Sequence, residues 1–319
     1  MERDEQPIWS APPPKTCSVE RAAVVPELPE IVGYLEALEP RIAGRELERV
    51  RVQSFALLKT YDPPVDDAAG RTVTELRRIG KRIVIELDTD RFLVIHLMIA
   101  GRLHWEVPGK AIPKKYGQAA FDFADGTLLL SEAGTKRRAS LHYVIGEEAL
   151  AGLDPGGIEV DTASNEQFRA ALQAERHTLK RALTDARFIS GIGGAFADEI
   201  LHRAQLSPLQ INTNLSADEV ADLHRAAKEV LAEWVEIRRT DTGDGFPKKV
   251  TAFHPQMAVH GKYGEPCPVC GVTVQRIVYA SRETNYCPGC QTGGKILADR
   301  SLSRLLKDDW PSTIEDLEH

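Results

Sequence analysis

The chain of 319 residues lacks any apolar stretch long enough to span a bilayer. Its longest run, Phe92 to Gly101 (FLVIHLMIAG), is about half the length a membrane helix needs and contains a histidine. The first 25 residues are charged and proline-rich (ERDEQPIWSAPPPK), without the apolar segment of a secretory signal, so a cytoplasmic setting is expected. No internal repeat is visible. Cysteine is sparse, and four of the five cysteines fall between residues 267 and 290, which argues for a metal site rather than a disulfide framework. Positive charge is also short: the net charge of −7 weighs against nucleic-acid binding, which draws on lysine and arginine. The sum is uneven, however. From Asp299 onward six acids face three bases, while basic clusters stand at RRIGKR (77–82), at KRR (136–138) and at His177 with Lys180 and Arg181.

The remaining composition, 42% hydrophobic and 27% charged, suits a globular chain of two domains. VVPELPEI (24–31) precedes a short amphipathic helix with Ile31, Leu35 and Leu38 at i, i+4 and i+7, and Pro29 fits its first turn. Residues 46–146 alternate in short β-branched and apolar runs broken by turn signals, the pattern of an antiparallel sandwich or barrel. The glycine- and proline-rich GLDPGGIEVDTASN (152–165) marks a boundary, and beyond it the period becomes helical. The expected architecture is therefore α+β. A β-sandwich domain is expected over 26–152, a helical domain over 165–264, a four-cysteine hairpin over 265–291 and an acidic tail over 292–319, preceded by an extension over 1–25. The stretch 239–264 holds few apolar anchors and reads as a mobile loop.

Two motifs carry chemistry. Cys267-x2-Cys270 and Cys287-x2-Cys290, sixteen residues apart, offer four thiolates for one closed, tetrahedral and hence structural Zn²⁺. In LKRALTDARFISGIGGAFADEIL a glycine-rich turn runs into a helix start, where unpaired backbone N–H groups suit an anion, and Lys180 and Arg181 make phosphate a natural ligand.

PELPEI with its helix, RRIGKRIVIEL with IHLMIAGRL, GIGGAFADEIL and HGKYGEPCPVCG…NYCPGCQ occur in this order over residues 26 to 291. Together they resemble the formamidopyrimidine-DNA glycosylase and endonuclease VIII family, bifunctional base-excision enzymes with a helix-two-turns-helix motif and a zinc finger. The resemblance implies a monomer acting on damaged double-stranded DNA, by glycosylase and abasic-site lyase chemistry. It implies catalytic roles for Pro26 as the amine nucleophile, Glu27 in proton transfer at the sugar, and Glu30 in holding the helix to the site. It implies DNA contacts at Lys81, Arg137, Lys180, Gly194 and Arg282, and zinc ligands at Cys267, Cys270, Cys287 and Cys290. A non-catalytic damaged-DNA-binding protein of the same fold is the alternative, and use of these modules on RNA or protein a more distant one.

The pattern departs from the family in three ways. Gly194 stands where the family has an asparagine that binds phosphate. Ile99, Arg137 and Ala139 match the void-filling methionine, arginine and phenylalanine, which leads to an expected preference for abasic, ring-opened or unpaired lesions over 8-oxoguanine opposite cytosine. Finally, Pro26 lies within the chain, where its nitrogen belongs to an amide and is no nucleophile. Residues 1–25 are either removed or not made, or the protein is a non-catalytic relative. A start on a valine codon at Val25 is the favoured reading.

Overall fold

The computed structural model describes residues 26–134, 137–248, 250, 253–279, 282–298 and 312–317. The extension 1–25, Lys136, most of the acidic tail and the side chain of Arg282 thus lie outside the described residues.

The chain enters through helix α1 (Leu28–Ile42), with a proline in its first turn. Two antiparallel sheets follow. The first joins β1 (Glu46–Leu47), β3 (Arg71–Ile79), β4 (Arg82–Leu87), β5 (Arg91–His96) and β9 (Ser140–Ile145) in the order β1-β3-β4-β5-β9. The second joins β2 (Arg49–Val52), β7 (Gly117–Phe123), β8 (Gly126–Glu132) and β6 (Gly101–Glu106) in the order β2-β7-β8-β6. Alternation along the strands sends Ile83, Ile85, Leu93, Ile95, Leu103, Phe121 and Leu130 into one core between the sheets, as the sequence period requires.

After α2 (Glu147–Ala151) the helical half is built from α3 (Asn165–Leu172), α4 (Leu179–Leu183), α5 (Gly194–Arg203) and the long α6 (Ala217–Thr242). Serine caps with reciprocal glutamine or glutamate bonds start α3 at Ser164 and α6 at Ser216. A hairpin of β10 (Gln275–Tyr279) and β11 (Arg282–Tyr286) leads into the short α7 (Pro288–Gln291). Among the described residues no helix is long and apolar enough to cross a membrane.

Helix α1 is the splice between the halves. Its Ile31, Tyr34, Leu38 and Ile42 lie in the sandwich core, whereas Leu28 and Val32 pack into the helical core with Leu179, Ile192 and Phe196. At about 1.5–3 kcal/mol per fully buried large apolar side chain, both cores draw on this one helix.

The stretch 239–264 differs from the loop expected of it. Helix α6 continues to Thr242. Further on, Ala258, Val259 and His260 donate their backbone N–H groups to the carboxylate of Glu199 at 2.8–2.9 Å, with Met257 and Val259 buried. One buried carboxylate anchors what the low apolar content left free. The tail also doubles back, as Ser312 and Ile314 bond the backbone of Ile296 and Gly294 beside the hairpin.

Candidate active site at the seam of the two halves

Pro26 and Glu27 are buried where α1 meets the glycine turn before α5. The turn sequence allows this approach. Gly191 has φ +79°, and a Cβ there would lie 2.8 Å from Leu28; a Cβ on Gly193 would lie 2.4 Å from the carboxyl carbon of Glu27. Leu28 N–H donates to the Gly191 carbonyl at 3.0 Å.

The anion that the glycine turn was expected to bind is supplied by the protein itself. The Glu27 carboxylate accepts N–H bonds from Gly193 (2.5 Å), Ala195 (2.9 Å) and Phe196 (3.2 Å), at the N-terminus of α5. These donors are therefore committed to Glu27 rather than left for phosphate. Burial raises the pKa of Glu27 above the usual carboxylate value, against the pull of Lys81 and of the N–H groups.

Glu30 bonds the backbone N–H of Glu27 at 2.9 Å and meets the Arg238 guanidinium at 3.0 Å (Nε) and 2.9 Å (Nη2). Burial raises its pKa too, opposed by Arg238. Arg238 was missed by the sequence reading. The signal for it was positional, since it falls four residues after Trp234 on the buried stripe of α6. Lys81 turns its amine onto the Ile192 carbonyl at 3.1 Å, and burial lowers its pKa while nearby Glu27 opposes that shift.

Lys180 departs from its expected place on phosphate. Its amine is held by Asp198 (2.6 Å) and by the Glu283 carbonyl (2.6 Å). Asp198 is fully buried and also accepts from His260 Nδ1 (2.9 Å) and Asn285 N–H (3.2 Å), so it joins α4, α5 and the hairpin. Burial alone would raise its pKa, but Lys180 and His260 hold it below the usual value. A lone lysine in a helical motif carries no sign of such a buried partner.

Of the remaining expected contacts, Gly194 is exposed and a Cβ there would meet open space. Arg137 is exposed and donates to the Lys115 carbonyl. Ile99 sits half-buried in the β5–β6 turn. Ala139, which stands where the family has its phenylalanine wedge, is 4% exposed, lies in the sandwich core, and gives its N–H to Glu132. No wedge can act from there. For Arg282 the backbone alone is described, paired with Tyr279 across the hairpin.

The four cysteine sulfurs all lie within 4.8 Å of one another, with Cys270–Cys287 at 3.3 Å and Cys267–Cys290 at 3.9 Å. Thiolates about 2.3 Å from a tetrahedral zinc stand about 3.8 Å apart, so the cluster fits one zinc with no open position.

The same division appears in comparison with known proteins. Family models match as the formamidopyrimidine-DNA glycosylase N-terminal domain over residues 25–138, its H2TH domain over 152–244, and a zinc finger found in FPG and IleRS over 264–293. The formamidopyrimidine-DNA glycosylase of Carboxydothermus hydrogenoformans is 32% identical over 272 residues, covering 84% of this chain and 100% of the relative. That of Heliobacterium modesticaldum is 33% identical over 279 residues, with the same coverage. The Lactococcus lactis FPG (MutM) in complex with an oxidized-pyrimidine-containing DNA superposes with a TM-score of 0.73 at 25% identity, over 84% of this chain and 100% of that one. With sandwich, glycine-turned helices and four-cysteine hairpin all accounted for, the chain belongs to the formamidopyrimidine-DNA glycosylase family.

Proposed function

We propose that this chain performs base-excision repair as a bifunctional DNA glycosylase and abasic-site lyase. The observation that carries this reading is the Pro26–Glu27 pair, buried at the seam, with the Glu27 carboxyl fixed by three backbone N–H groups and its pKa raised by burial. The Pro26 nitrogen attacks C1′ of the damaged nucleotide and the C1′–base bond breaks, the base leaving with its electron pair and taking up a proton. Glu27 moves the proton needed to open the sugar. The resulting iminium acidifies C2′, and loss of that proton expels the 3′ phosphate, cutting the strand. Glu30, held by Arg238, bonds the Glu27 N–H and so keeps the pair in register.

Lys81, Gly194 and Arg282 are assigned to the phosphates around the lesion and Arg137 to the void left by the extruded base, whereas Lys180 is reassigned to holding the hairpin. When bound, zinc at Cys267, Cys270, Cys287 and Cys290 fixes the hairpin on which Arg282 rides. The division at 26–152, 165–264, 265–291 and 292–319 serves this scheme, in which all the named groups come from one chain and a monomer suffices. The bacterial relatives support a cytoplasmic setting on chromosomal DNA.

The nucleophile must be a free secondary amine. A chain beginning at Pro26 is expected to trap covalently on abasic-site DNA under borohydride, while the chain with residues 1–25 attached is not. Failure of the first to trap, with DNA binding intact, would leave the non-catalytic binding protein as the answer.

A further inference from the structure

Three connections meet at one end of the sandwich. Segment 53–61 (QSFALLKTY) follows β2, segment 113–117 (PKKYG) ends the connection into β7, and segment 133–139 (AGTKRRA), described except at residues 135 and 136, joins β8 to β9. Together they contain six lysines and arginines and no aspartate or glutamate, in a chain whose net charge is −7. Hydrogen bonds bring them side by side. Gln53 and Ser54 donate backbone N–H groups to the Gln118 carbonyl at 2.8 and 3.2 Å, and the Gln53 amide reaches the Lys114 carbonyl at 3.2 Å. The 113–117 turn is closed by Gly117 N–H on the Pro113 carbonyl, and the Tyr116 carbonyl accepts Glu132 N–H, both at 2.8 Å. Arg137, assigned beside the extruded base, is tied to this turn through the Lys115 carbonyl.

The ridge exposes Lys59, Lys114 and Lys115 together with two aromatics, Phe55 at 75% and Tyr116 at 46% exposure. Large apolar rings left in water beside unopposed cations are the elements of a surface for single-stranded nucleic acid, with charge along the backbone and ring faces for the bases. We propose that this ridge binds an unpaired DNA strand, the one left opposite the lesion, with Lys114 and Lys115 on its phosphates and Phe55 and Tyr116 stacked on its bases. Paired bases present no free faces, so the ridge adds affinity where the duplex is open and little where it is closed.

The inference rests on the DNA-repair reading and fails separately from it. Fluorescence anisotropy would compare a duplex carrying a reduced abasic site with the same site inside an unpaired bubble, across a salt series. The unaltered protein is expected to bind the bubble more tightly. Phe55→Ala/Tyr116→Ala should lose about tenfold on the bubble while leaving the duplex within about twofold. Lys114→Ala/Lys115→Ala should weaken bubble binding with a salt slope shallower by about 1.4. Absence of any bubble preference, or a bubble-to-duplex ratio unchanged in both variants, overturns the ridge while tight duplex binding keeps the repair reading. A protein that binds neither DNA removes both.

Discussion

The sandwich and the helical half bury different things. Between the sheets the core is apolar, and the polar groups buried there, such as Asp122, Glu132 and Ser131, lie along β7 and β8. The helical half buries Asp198, Glu199, His202, Asn212, His224 and Arg238, and the seam adds Glu27 and Glu30. The first half is a scaffold that many apolar residues could build. The second is a set of buried charges, each needing a particular partner, and it is against this half that Pro26 and Glu27, proposed as the catalytic pair, are held.

The sharpest way to break this contrast is at Arg238. Arg238→Ala leaves Glu30 buried without its partner, and stability should fall by on the order of 3 kcal/mol, read as a lower urea midpoint. Trapping on abasic DNA should fall with it, since Glu30 bonds the backbone of Glu27. Restoration of stability, though not of trapping, in the Glu30→Gln/Arg238→Met double variant would show that the pair serves position more than stability. A comparably small apolar truncation in the sandwich, Ile85→Val, belongs to the range of about 0.5–1.5 kcal/mol and should leave trapping unchanged.

Gly193→Ala comes next. Its Cβ would meet the Glu27 carboxyl at 2.4 Å, so the carboxylate must move off its three donors. A loss of trapping on the order of tenfold or more, with DNA affinity retained, is expected; full activity would mean that the seam is softer than its geometry indicates.

The Asp198–His260 pair gives a pH signature. Burial alone would lower the His260 pKa, but the bond to Asp198 outweighs it and holds the value above 6.5. A raised folded-state value means that the protonated ring contributes stability in full below pH 6.5 and loses it as pH rises through the folded value. The destabilisation by His260→Gln, from urea midpoints, should therefore be largest below pH 6.5 and shrink toward alkaline pH; the reverse trend would sink the assignment.

The smallest effect is expected at Gly194, one residue from the intolerant Gly193. Open space surrounds its Cβ direction, so Gly194→Asn should fold unchanged and gain about twofold to tenfold in DNA affinity through an added amide on phosphate. An unchanged affinity would show that the phosphate path avoids this helix start.

The sequence by itself determined the elements. Period-two alternation from 46 to 146 made the sheets, serine caps began α3 and α6, and the spacing of Cys267, Cys270, Cys287 and Cys290 fixed the metal site, because each signal is local and repeats within a few residues. Residues that act through distant partners were not legible in this way. Lys180 read as a phosphate contact, yet its partner Asp198 lies eighteen residues on and the Glu283 carbonyl over a hundred residues on. Ala139 read as the place of a lost wedge, but only the packing of the sheets shows it inside the core. The glycine turn read as an anion site, and so it is, but tertiary structure alone decided that the anion is Glu27, 166 residues before Gly193 in the chain. Burial and the pairing of charges are properties of the assembled molecule, and neither periodicity nor local spacing encodes which carboxylate will find which N–H group.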